Sequence, residues 1–119
     1  METQIPNNLY GCFENLNKIM DSAEDAEWFK NAPEEEAVTS SHFGLGGWIR
    51  NNWSLWNKGT PLYEYFKNLG LWHADDMSSV ILTSYHRFLN KKDINLNEQI
   101  EHYINYWKEY QKENGPIDK

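Results

Sequence analysis

Apolar residues recur at steps of three and four along most of the chain, and that spacing predicts helices throughout. Leu9, Phe13, Leu16, Ile19 and Met20, with Cys12 beside them, give an amphipathic helix over residues 7–20. Pro6 suits its first turn, where the missing N–H would be unpaired anyway. Ser22 followed by Asp25 resembles a capping box with Asp in place of Glu, opening a short helix through Asn31 whose buried contacts are Trp28 and Phe29. Pro33 restarts the chain, and Glu34, Glu35 and Glu36 suit the positive end of a helix dipole, so a third helix is expected from there through the glycines to Leu55.

Asn57, Lys58, Gly59 and Thr60 then read as a turn, and Pro61 opens a helix carrying Leu62, Tyr65, Phe66 and Leu69, with Gly70 as its C-terminal cap. The Asp75 and Asp76 pair is expected to cap a helix through Asn90. Met77, Val80, Ile81, Ser84 and Phe88 form one face of that helix and Leu82, Tyr85 and Leu89 a second, so it reads as central to the fold. Leu96, Ile100, Tyr103, Ile104 and Trp107 align in a last helix, stopped by Asn114, Gly115 and Pro116. The fold class expected is all-α, a single compact bundle of five or six short helices forming one domain over residues 1–119. Within it fall an acidic N-terminal helical pair at 7–31, a Trp-rich core over 33–110 and a frayed tail over 111–119.

Composition supports helices over sheet, since valine, a strand former, occurs only at Val38 and Val80. Cys12 is the only cysteine, which excludes an intrachain disulfide and a cysteine-based metal site. The N-terminus lacks the basic head and apolar run of a signal peptide, and no stretch is long and apolar enough to span a bilayer, so a soluble cytoplasmic protein with no membrane partner is expected. The net charge of −7 is uneven: residues 1–36 hold nine carboxylates against Lys18 and Lys30, while the rest carries nine of each sign. That asymmetry argues against nucleic acid and favours a protein partner of basic character.

The stretch HFGLGGWIRNNWSLW, residues 42–56, concentrates three glycines and three tryptophans. It meets neither phosphate-loop spacing. On a helix, His42, Gly46 and Arg50 would share a face, leaving Leu45, Ile49, Trp53 and Trp56 as a core stripe. Each glycine costs about 1 kcal/mol against alanine inside a helix, so three of them imply a close contact or a break near residues 44–47. Arg50 among tryptophans must be paired, with Asp75, Asp76 or a carboxylate of the acidic third as candidates. The candidates for binding a ligand or partner are His42, Gly46, Trp48, Arg50, Asn51, Trp53, Asp76, His86 and Arg87.

No catalytic residue is assigned: Ser84 and His86, two apart on a helix, would not meet. His73, Asp75, Asp76 and His86 are too short a metal pattern to assign a metal, and no cofactor is expected. His102 is expected to face solvent. The tryptophans alternate with aliphatics and no basic stripe accompanies them, so they do not read as a base-stacking platform.

HFGLGGWIRNNWSLW, followed by YFKNLGLWHADDMSSVILTSYHRFLNKKDINLNEQIEHYINYW, resembles an uncharacterised bacterial family known only as a domain of unknown function. Its pattern is HFGLG-x-WIRN-x-W-x-LW, then H-x-DDMS and a SYHR-like segment, and the likeness covers residues 7–110. Gly47 stands where the family carries a bulkier residue, and Ala74 where it carries proline. The resemblance implies a small helical protein and supplies no activity. Two functions are therefore carried forward. The first is a non-enzymatic cytoplasmic interaction module of immunity or antitoxin type, using the acidic third and an aromatic groove. The second is a small-molecule or nucleotide-type pocket around His42, Arg50, Asn51, Asp76 and His86, with catalytic capacity.

Overall fold

The computed structural model of the protein describes residues 5–20 and 23–116. Among these residues there are seven helices and no strand: α1 (Leu9–Ile19), α2 (Ala23–Asn31), α3 (Glu34–Ser41), α4 (Leu45–Asn52), α5 (Pro61–Leu69), α6 (Ala74–Leu89) and α7 (Leu96–Asn114). The all-helical expectation holds, but the count of five or six is corrected to seven. The capping box proposed on Ser22 lies outside the described residues. Asn8 caps α1, its side chain accepting the Gly11 N–H at 2.9 Å. Pro61 is the first residue of α5, and Gly70 closes that helix in the left-handed region at φ 114°. No described helix is long and apolar enough to cross a membrane.

The extra helix arises because the expected third helix breaks at His42, Phe43 and Gly44. The His42 N–H reaches back only to the Thr39 carbonyl, and Gly44 opens α4 with a non-helical ψ of −90°. A side chain takes over where the helix ladder stops: Arg50 Nη2 donates to the His42 carbonyl at 3.1 Å. The α4 backbone must then lie close to the end of α3. A Cβ on Gly46 would sit 3.1 Å from Arg50 Nη1 and 3.3 Å from the Ser41 carbonyl oxygen. Gly46 is therefore a contact glycine, sitting where the chain breaks between α3 and α4. α4 also stops at Asn52, short of Leu55, since Ser54 enters the left-handed region at φ 56°.

α6 is the central helix, packing against α1, α2, α3, α4 and α7. Met77, Val80, Ile81, Leu82 and Tyr85 are buried around it, and Ser78, Ser84 and His86 are buried with them. Two predicted faces are corrected. Trp28 is 48% exposed while its neighbour Phe29 is buried, and Trp56 is 56% exposed because the turn after α4 carries it off the core stripe. Phe88 is also partly exposed, yet it stacks on Phe13 at 4.7 Å. The cap of α6 is His73 rather than the aspartates: its Nδ1 accepts the Asp75 N–H at 3.1 Å. Asp75 and Asp76 sit one step inside the helix, free to turn their carboxylates to α4 and α7.

The glycines give a paired prediction. Gly46→Ala should destabilise by about 1–2 kcal/mol in denaturant unfolding, because Arg50 is pinned and the Ser41 carbonyl is backbone, so neither yields to the new methyl. Gly47→Ala should be neutral or stabilising by about 0.5 kcal/mol, since its Cβ would meet only Arg50 Nη2 at an ordinary 3.6 Å.

Candidate functional site

Arg50 projects from the last turn of α4 into the seam with α6 and is 7% exposed. Nη1 donates to Ser78 Oγ at 2.8 Å, Nη2 to the His42 carbonyl, and Nε lies 3.4 Å from Asp75 Oδ1. Ser78 passes the chain on by donating to the Asp75 carbonyl at 3.0 Å. The guanidinium thus joins the end of α3, α4 and the first turn of α6. Its donors meet a carboxylate, a hydroxyl and a carbonyl, which is the pairing that a buried cation requires. Ser78 was not among the sequence candidates. The signal was available, as a serine on the inner face of an otherwise apolar helix needs a polar partner.

The other sequence candidates are engaged by different parts of the fold. His42 supplies its backbone carbonyl to Arg50, while its ring stands edge-on to Phe43 at 5.0 Å. Asn51 is exposed and accepts the Trp56 indole N–H at 3.2 Å. Trp53 is fully buried, with half-buried Trp48 edge-on to it at 5.9 Å. His86 is buried, and its Nε2 donates to the Ala32 carbonyl at 2.8 Å beside the edge of Phe29. Arg87 grips both oxygens of Glu34, at 2.6 and 3.2 Å, and donates to the Ile94 carbonyl at 2.7 Å. Asp76 accepts the Trp107 indole N–H at 2.7 Å. Apart from the contact of Arg50 with the His42 carbonyl, His42, Arg50, Asn51, Asp76 and His86 therefore do not gather around one pocket. Cys12 is buried, and that burial pushes its thiol far above the usual range, leaving it unreactive.

Two clefts open on the surface. One cleft of about 380 Å³ runs between the end of α1, α2 and the α3–α4 break. Its lining combines apolar Ile19, Met20, Trp28, Phe29 and Leu45 with polar Asp25, Ser40 and Ser41. Phe43, one residue before the lining Gly44, is 88% exposed. A second cleft of about 370 Å³ lies between the start of α6 and α7 and includes Asp76 and Trp107. Among the described residues no group of three or more His, Cys, Asp or Glu side chains is placed to hold a metal ion.

A family model described as Domain of unknown function (DUF6794) matches residues 5–89. The chain belongs to this family. The matched segment begins just before α1 and ends on the last residue of α6, so it contains the whole Arg50 network and the first cleft, and α7 follows it. No curated protein and no solved structure matches the chain.

The Glu34 and Arg87 pair sets a pH dependence. Hydrogen bonding from Arg87 holds the Glu34 carboxyl below its usual range, outweighing the opposing effect of burial, and the charge of Arg87 adds a smaller lowering. A carboxylate depressed in the folded state contributes stability above its unfolded pKa and loses it as pH falls through the folded one. Glu34→Gln should therefore lower stability at neutral pH, with the difference from wild type shrinking on acidification below the ordinary glutamate range. Thermal unfolding across that range measures it.

Proposed function

We propose that the protein is a non-enzymatic interaction module that binds a protein partner of basic character through the cleft between α1, α2 and the α3–α4 break. The observation that carries this reading is the pairing of apolar walls with acidic surroundings. Trp28 lines the cleft and is half exposed, and Phe43, next in sequence to the lining Gly44, is almost fully exposed; large exposed apolar surface of this kind is a feature of docking surfaces. Asp25 is part of the lining, and Glu24 and Glu27 on α2 and Glu35 and Glu36 on α3 are exposed. A basic segment with one apolar anchor matches that chemistry: the anchor enters beside Trp28, and the charges steer its approach. The setting this implies is cytoplasmic. An immunity or antitoxin role, in which an acidic surface covers a basic site on a toxin, is one instance of the class, argued by analogy alone.

The reading of a ligand pocket around His42, Arg50, Asn51, Asp76 and His86 is less well supported, because each of those side chains is engaged by a different neighbour. Support for the interaction reading also comes from the Arg50 network itself, which uses the conspicuous motif to fix the α3–α4 break that forms one wall of the cleft.

A Trp28→Ser, Phe43→Ser variant should fold with wild-type helical circular dichroism, since Phe43 is largely and Trp28 about half exposed and neither belongs to the buried core. Affinity capture with quantitative mass spectrometry should recover a basic protein on wild type that this variant loses by about tenfold or more, equivalent to about 1.4 kcal/mol. Added salt should weaken the same capture. Equal recovery on both proteins, or a partner indifferent to salt, would contradict the proposal.

A further inference from the structure

The cleft between α6 and α7 lies apart from the one assigned above, and its walls have a different chemistry. Trp107 is the hub. Its ring lies 4.9 Å from Trp72, is stacked on His73 at 5.8 Å and 17°, and is met edge-on by Tyr106 at 5.0 Å and Tyr110 at 5.4 Å. Trp56 extends the surface through an edge contact with His73 at 6.5 Å. Tyr106 is 55% and Tyr110 41% exposed, so the aromatic surface is open to solvent. The Asp76 carboxylate, half-buried, is part of the cleft lining, with one oxygen held by the Trp107 indole.

No lysine or arginine lines this cleft; His73, His102, Asp75 and Tyr103 are the titratable groups beside Asp76. Burial raises the Asp76 pKa above the usual aspartate value, with the Trp107 hydrogen bond opposing it. Asp75 next to it is already turned to Arg50. The site therefore combines a carboxylate short of a cation with aromatic rings whose faces attract one. An anion would be repelled by Asp76. A neutral ligand could stack on the rings and hydrogen-bond to Asp76, but it would leave the negative charge of the carboxylate unbalanced.

We propose that this cleft binds a methylated ammonium group, with Asp76 as the counter-ion and Trp107 and Tyr106 as the aromatic walls. The volume of about 370 Å³ admits a trimethylammonium head with an alkyl stem. α7 supplies both walls and α6 the charge, so the site depends on a helix that lies beyond the matched family segment. It does not rest on the partner-binding reading, as the two clefts share no lining residue.

Titration calorimetry on the full chain tests it with choline, with 3,3-dimethylbutanol as the uncharged analogue of the same shape, and with a short peptide bearing trimethyllysine. Choline should bind, and the uncharged analogue should bind at least about tenfold more weakly, since only the charge differs. Asp76→Asn keeps an acceptor for the Trp107 indole and should weaken choline by about tenfold or more. Tyr106→Ala, at an exposed position, should weaken it without unfolding the chain. A peptide binding well above choline would place the ammonium on a protein; equal or weaker peptide binding would place it on a small molecule. No choline binding at millimolar concentration, equal binding of the uncharged analogue, or unchanged affinity in Asp76→Asn would overturn the proposal. Because Trp28 and Phe43 lie outside this cleft, loss of partner capture in their variant would leave choline binding intact.

Discussion

The Arg50 guanidinium, buried between α4 and α6, is the interaction on which the remaining geometry depends. A buried cation without partners carries a penalty of several kcal/mol, so the fold has to bring a hydroxyl, a carbonyl and a carboxylate to it. Each of those partners comes from a different place: Ser78 from the inner face of α6, His42 from the break after α3, and Asp75 from the first turn of α6. Satisfying Arg50 therefore fixes three segments relative to one another. Gly46 is the steric counterpart, since only a residue without a side chain lets α4 approach the end of α3 this closely.

Fixing that corner leaves two surfaces available. The α3–α4 break faces α2 and forms one wall of an apolar cleft in the acidic third. With His73 rather than an aspartate capping α6, the two aspartates turn in different directions: Asp75 to Arg50 and Asp76 to Trp107. One carboxylate is used for architecture and its neighbour lies in an aromatic cleft. The motif that dominates the sequence is thus chiefly a packing device, and the functional proposals rest on the surfaces it positions.

Much of this was legible in the sequence. Helical periodicity located every helix except the split at 42–44, and Pro61 and Gly70 marked the limits of α5 through the backbone geometry they favour. Arg50 demanded a carboxylate, and Asp75 was among those expected. Periodicity could not place the break, because glycines are compatible with a strained helix or with an interruption. The exposure of Trp56 was missed for a related reason: a helical wheel assigns faces only while the helix continues, and the chain turns just before it. Trp28 lies inside α2, next to the buried Phe29, and was assigned to the core on its apolar character alone. The Asp76 and Trp107 contact joins residues 31 apart through packing alone, so no local pattern announces it. The family match adds a second physical boundary, since it ends with α6 while the aromatic cleft needs α7.

The most direct test of the central claim is a double-mutant cycle on Arg50→Ala and Ser78→Ala, read as denaturant unfolding free energies. If the buried hydrogen bond at 2.8 Å fixes α4 on α6, the two substitutions should be non-additive, with a coupling of about 1 kcal/mol or more. Additive effects, with Arg50→Ala costing less than about 1 kcal/mol, would contradict the account and leave the glycine and tryptophan stretch without its structural role.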